Sequence, residues 1–123
     1  MKIYVSHSKK YDFKNELYLP LRSSKLNSLH EIVLPHEESG KQFNSRDYIS
    51  TCDVVVAEVS LPATGQGIEL GWADAARKPI ICLYKEGSDP AGSLKVVSKT
   101  FIEYSNSNEM IEKLSQALET IKE

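Results

Sequence analysis

Cysteine is scarce in this sequence, and the little there is forms no pattern. Cys52 and Cys82 stand 30 positions apart with no Cys-x-x-Cys pair between them. A metal or redox motif of that type is therefore unsupported. Each cysteine lies in or beside an apolar run, where a free thiol acts as a small buried hydrophobe. Of the three histidines, His30 and His36 flank an apolar run without ligand spacing, so no metal is expected. Long basic runs are missing and the formal net charge is −2, which argues against a nucleic-acid polymer as partner. No apolar stretch approaches the length of a membrane span. Met1-Lys2 leads straight into a short apolar segment rather than a leader-like one, so the expected compartment is the cytoplasm. A Walker-A loop is also missing, which disfavours a kinase or pyrophosphorylase. With no internal repeat, low-complexity tract or linker, residues 1–123 read as a single domain.

What is present is the composition of a globular protein, 41% apolar and 26% charged. Short apolar runs rich in Val, Ile and Tyr predict strands over residues 2–6, 31–34, 53–59, 80–84 and 100–104. The run at 53–59 is continuously apolar at its centre, as in a parallel strand covered on both faces. Helical spacing of Phe13, Leu17, Leu21 and Leu26 predicts a helix over 11–29, kinked or broken at Pro20. Further helices are expected over 45–51, from about 67 to 77, over 93–97, and at the C-terminus. There Met110, Ile111, Leu114, Ala117, Leu118 and Ile121 share a face, and Asn106 with Glu109 resembles a capping box. Residues 36–44, 60–67 and 86–92 read as loops, the first long enough to suggest function. Strands alternating with helices imply right-handed βαβ units. The expected fold is a three-layer, flavodoxin-like (Rossmann-like) α/β domain with a five-stranded, mostly parallel sheet. Ligands of such folds sit outside the carboxyl ends of the strands where strand order reverses. The turns at 6–10 and 58–67 should flank that crevice.

Glu69 is the leading candidate residue. It follows Gly65 and Gly67, read as a Gly-x-Gly turn opening a helix, whose free N–H groups and dipole suit an anion. Thr64 belongs to the same segment. On local pattern alone, Glu69 is equally a favourable first-turn residue. Glu58 closes the strand at 53–59, where it is either a second carboxylate at the crevice or a solvated strand end. Two carboxylates flanking one crevice suit chemistry at an oxocarbenium-like sugar carbon. His7, in the turn after the first strand, is either a proton donor or phosphate contact, or a solvated loop histidine.

Read together, Cys52-Asp53-Val54-Val55-Val56-Ala57-Glu58-Val59-Ser60-Leu61-Pro62, then Gly65-Gln66-Gly67-Ile68-Glu69-Leu70-Gly71-Trp72-Ala73, resemble the nucleoside 2-deoxyribosyltransferase family. The likeness is greatest to its branch that hydrolyses 2′-deoxynucleoside 5′-monophosphates, and it continues through Lys78-Pro79-Ile80-Ile81-Cys82-Leu83-Tyr84. The resemblance implies N-glycosidic bond cleavage or transfer, without a cofactor, on a nucleoside or nucleotide. It implies a nucleophile at Glu69, which attacks the anomeric carbon and expels the base, and a tyrosine at Tyr4 that holds it. Ser6, in the turn that follows, joins the substrate-binding set, and Ser8 and Lys10 fall where the hydrolases hold the 5′-phosphate. A homodimer or higher oligomer is implied, with Ser93 reaching a neighbour's phosphate; Ser93 reads equally well as a helix N-cap. Tyr4 reads equally well as strand packing.

The resemblance breaks at three places. Where the family has an Asp that protonates the leaving base, this chain has Ser45, with Asp47 two residues on as a substitute if the short helix is shifted. Six positions before Glu69, where the family has Asp or Ser, stands Ala63, followed by Thr64. The family's glycine-rich first turn is Ser6-His7-Ser8-Lys9-Lys10 here. Two alternatives follow. Tyr4-Val5-Ser6-His7-Ser8 resembles the opening of TIR domains, some of which are NAD glycohydrolases. Loss of the acid would instead leave a nucleotide-binding or sensing module, since general acid help is worth roughly 10²–10⁴ in rate.

Overall fold

A computed structural model describes residues 1–37 and 44–121. The strands are β1 (Lys2–His7), β2 (Glu31–Val33), β3 (Val54–Glu58), β4 (Ile80–Lys85) and β5 (Thr100–Tyr104). The α-helices are α1 (Leu19–Ser23), α2 (Leu26–Leu29), α3 (Ser45–Thr51), α4 (Thr64–Ala75), α5 (Leu94–Val97) and α6 (Ser107–Glu119). All five strands pair in parallel, in the order β2-β1-β3-β4-β5. This is the flavodoxin-like order, with the direction of progression reversing between β1 and β3.

Two apolar layers sandwich the sheet, and strand alternation assigns residues to each. On one face Ile3, Val5, Val54 and Val56 pack with Leu17, Leu21 and Leu26 and with Met110, Leu114 and Leu118 of α6. On the other, Tyr4, Val55, Ala57 and Cys82 pack with Ile49 of α3 and with Leu70 and Ala73 of α4. Each fully buried aliphatic side chain contributes about 1.5–3 kcal/mol. Both cysteines are buried and free.

Two sequence expectations need correction. The first helical stretch is not broken at Pro20. It begins as a π-helical turn, Lys14–Tyr18, in which the Leu19 N–H bonds the Lys14 carbonyl, and runs straight into α1 with Pro20 in its first turn. A wider turn next to a proline relieves the ring's clash with the carbonyl four residues back. The break comes at Ser24, whose backbone is extended at ψ 167°. Second, α4 starts at Thr64, three residues earlier than expected, because Ala63 is the last extended residue (φ −151°, ψ 135°). Gly65 and Gly67 are therefore helical residues rather than a turn, and neither has positive φ. The expected loop at 36–44 falls largely outside the described residues. The C-terminal helix is capped as expected, with Asn106 Oδ1 accepting the Glu109 N–H at 2.9 Å.

Candidate active site

The carboxyl edge of the sheet, at the β1–β3 switch in strand order, opens into a cavity of about 650 Å³. Its wall comes from the turn after β1 (Ser8, Lys9, Lys10), the segment after β2 (Pro35, His36), the start of α3 (Ser45), and the segment from Pro62 into α4.

Glu69 lies on this wall, in the second turn of α4. Gln66, Leu70 and Ala73 turn toward the sheet and are buried, while Glu69 is half-buried at the edge of that face. Its carboxylate is held from below by β1. Tyr4 Oη donates to Oε2 at 2.7 Å and Ser6 Oγ donates to Oε1 at 2.8 Å. Tyr4 and Ser6 are two apart on one strand, so both project to the α4 side. Neither is exposed to solvent. Burial, then the Glu69 charge and its hydrogen bond, push the Tyr4 phenol far above its usual range, while Ser45 acts in the opposite direction. Tyr4 is thus a fixed donor at any working pH. Hydrogen bonds to a charged acceptor are worth about 1.5–3 kcal/mol each, so the two hold the carboxylate in one orientation.

Beside this pair stands a neutral polar relay. The His36 backbone N–H donates to Tyr18 Oη at 3.0 Å, and Tyr18 Oη meets His7 Nε2 at 2.7 Å. His7 Nδ1 donates to the Ser8 carbonyl at 3.0 Å, so Nε2 accepts from the tyrosine. The His7 ring stacks on Phe13 with centroids 4.4 Å apart. Burial holds its pKa down at about 4. His7 is therefore a buried neutral imidazole with both nitrogens engaged, not a proton donor. His36 lines the cavity, and burial with the nearby Lys9 charge lowers its pKa as well.

Of the other expected residues, Ser8, Lys10, Thr64 and Gly65 line the cavity with Glu69, Tyr4 and His7. Ser8 Oγ accepts the Lys10 N–H at 3.1 Å, which fixes the turn that carries the lysines. Ser6 reaches the site only through Glu69. Four residues are not brought to it. Glu58 points from β3 to the opposite face of the sheet, because it alternates with Ala57; it is buried against Ser60 and Tyr104 and is not at a rim. Asp47 is exposed on α3, which starts at Ser45 without the register shift needed to bring it inward. Gly67 is exposed on α4 and does not line the cavity. Ser93 is exposed before α5, away from the cavity, and makes no side-chain cap there. Glu69 itself is not a first-turn residue, since α4 begins earlier than the glycines suggested.

The sequence reading missed Trp72, Ile68 and His36 as cavity residues. Ile68 and Trp72 are one helical step from Glu69 and are 51% and 38% exposed, so α4 presents an apolar edge to the cavity beside its carboxylate. Once the helix is started at Thr64, that spacing is the signal. The N-terminus of α4 opens into the cavity and Ala63 cannot cap it. Its first N–H groups are donors for an anion, with Lys9 and Lys10 on the same wall. Among the described residues no group of His, Cys, Asp or Glu is arranged to hold a metal, and no helix is long and apolar enough to cross a membrane.

No family model matches the chain. It is 50% identical over 52 residues to the 5-hydroxymethyl-dUMP N-hydrolase of Mus musculus, a match covering 40% of this chain and 30% of that protein. It is 36% identical over 66 residues to a 2′-deoxynucleoside 5′-phosphate N-hydrolase 1, so named provisionally, of Syntrophotalea carbinolica, covering 51% of this chain and 46% of that one. The matches thus span less than half of these curated relatives. Among solved structures, a Clostridium botulinum CMP N-glycosidase superposes with a TM-score of 0.65 at 27% identity, over 94% of this chain and 99% of that one. In sequence and in fold, the chain is thus similar to enzymes named as nucleotide N-hydrolases and an N-glycosidase.

Proposed function

We propose that the chain hydrolyses the N-glycosidic bond of a nucleoside 5′-monophosphate, with Glu69 as nucleophile. The observation that carries this reading is the Glu69 carboxylate, pinned by Tyr4 and Ser6 at the edge of a cavity large enough for a nucleotide. A Glu69 oxygen bonds to the anomeric carbon as the carbon–nitrogen bond breaks. The base leaves with that electron pair and takes up a proton. Water then cleaves the glycosyl ester and frees the sugar phosphate. Lys9, Lys10, Ser8 and the open start of α4 are the phosphate side, and Trp72 and Ile68 are an apolar surface for the base. Each glycine within a helix costs about 1 kcal/mol relative to alanine. Gly65 lines the cavity, and nothing lies within 4 Å of where its Cβ would be, so its small size serves something other than the chain's own packing. The named activities of the relatives support the same class of reaction. Ser93 completing a neighbour's phosphate site in a dimer is part of the proposal, and light scattering showing a stable monomer would remove it.

The test is base release, followed by chromatography, from deoxynucleosides, their 5′-monophosphates, CMP and NAD, with and without a second base as acceptor. Wild type should release base from a monophosphate, and Glu69→Gln should lower the rate by at least about a thousand-fold. A best rate with NAD would favour the TIR-like alternative, and base exchange would favour a transferase. One observation favours a second reading, a nucleotide-binding module with little turnover. Among the described residues Glu69 is the only carboxylate lining the cavity, so no acid stands opposite it. Tight nucleotide binding without base release would select that reading.

A further inference from the structure

Glu58 lies on the far face of the sheet from Glu69, yet it is tied to the loop that walls the cavity. Its carboxylate is almost fully buried, at 1% exposure. Oε1 accepts the Ser60 N–H at 2.7 Å and Oε2 accepts Ser60 Oγ at 2.8 Å. Tyr104 Oη also donates to Oε2 and is itself bonded by Tyr11 Oη at 2.7 Å. Ser60 Oγ in turn accepts the Lys85 N–H at 2.8 Å, joining the loop to the end of β4. The backbone of Glu58 holds the other end of the same loop, because Gln66 Nε2 donates to the Glu58 carbonyl at 2.8 Å. Between these two ties lie Pro62, Ala63, Thr64 and Gly65, all on the cavity wall. An ionised carboxylate so far from solvent is unfavourable by itself. Its three donors satisfy it: two belong to Ser60 of the loop, and the third is Tyr104 at the end of β5.

We infer that Glu58 is a positioning residue whose carboxylate and carbonyl clamp both ends of the loop from Ser60 to Gln66, fixing the open start of α4 that faces the substrate phosphate. Glu69 is anchored separately, to Tyr4 and Ser6 of β1. Loosening the loop should therefore weaken phosphate binding without disturbing the nucleophile. The phosphate assignment rests on the function proposed above; the clamp does not.

Glu58→Gln keeps the side chain's shape but loses one accepting oxygen, and Ser60→Ala removes the linking hydroxyl. Two measurements test both variants. The first is hydrogen exchange of residues 60–67, with 107–119 as internal reference; loss of one or two hydrogen bonds should speed exchange about five-fold in the loop alone. The second is the kinetics of a monophosphate and its parent nucleoside. KM for the monophosphate should rise about ten-fold, with kcat within about two-fold and KM for the nucleoside unchanged. Unchanged loop exchange in both folded variants overturns the clamp. An equal rise of KM for both substrates overturns its role toward phosphate. Wild type that releases no base defeats the proposed activity instead, and the exchange result then decides the clamp alone.

Discussion

Tyr4 and Glu69, 65 positions apart in the chain, meet at 2.7 Å across the interface between β1 and α4. The phenol is buried and locked in its protonated form, and Ser6 repeats the contact from two residues further along the strand. A carboxylate that must approach a carbon along one line gains from having both oxygens oriented in advance. Tyr4→Phe and Ser6→Ala should each lower kcat for base release by about ten- to a hundred-fold, the value of one charge-assisted hydrogen bond, with KM little changed. The double variant should fall short of the product of the two, because both act on one group. A kcat unchanged in both single variants, measured on folded protein, would mean that these hydroxyls do not position the nucleophile.

How much of this was legible in the sequence follows from what each residue's neighbours encode. The strands were legible because a sheet covered on both faces needs continuous apolar runs, such as Val54, Val55 and Val56. The same continuity hid the faces: nothing in that run says that Glu58 points away from Glu69. The start of α4 was misplaced because its N-cap is Ala63, which gives no capping signal, while Gly65 and Gly67 signal a turn. That three-residue error put Glu69 in the first turn and concealed Trp72 as a cavity residue. His7 looked like a loop histidine; only the π-helical turn that brings Tyr18 to it makes it a buried relay group.

That burial gives a pH prediction. The His7 pKa of about 4 lies below the 6.5 of an unfolded histidine, so the unfolded chain binds a proton that the folded one refuses. Stability should fall as pH drops from about 6.5 to 4, by on the order of 3 kcal/mol across the full window. Burial raises the Glu58 pKa, an effect of opposite sign, which returns stability as pH falls toward the unfolded carboxylate value. His7→Gln isolates the first term. Urea midpoints measured at several pH values should show a flatter profile for the variant than for wild type. Parallel profiles would mean that His7 takes up a proton inside the fold.

Trp72 is 38% exposed, one turn from Ile68 on the α4 edge beside Glu69. Stacking of a base on an aromatic ring is worth about 1–3 kcal/mol. Trp72→Ala should therefore raise KM for the monophosphate by about ten-fold or more, with the melting temperature lowered by only a few degrees. Equal KM values for variant and wild type would place the base elsewhere in the cavity.

Ser45 decides whether the missing acid limits the reaction. It lines the cavity at the start of α3 and acts on the Tyr4 phenol, so a carboxyl group introduced there lies close to Glu69. Two carboxylates sharing a partly buried site cannot both ionise easily, and the newcomer would keep its proton to higher pH. That is the state required to protonate a departing base. Ser45→Asp should raise kcat by about ten- to a hundred-fold, within the range of general acid catalysis, and should introduce a fall in rate at alkaline pH as the new group ionises. Tyr4 stays protonated throughout, so the new limb would belong to the introduced acid. A variant with the same kcat and a flat profile would mean that the wild-type site already protonates the base through another group, and His36→Gln in the same assay would show whether that group is His36.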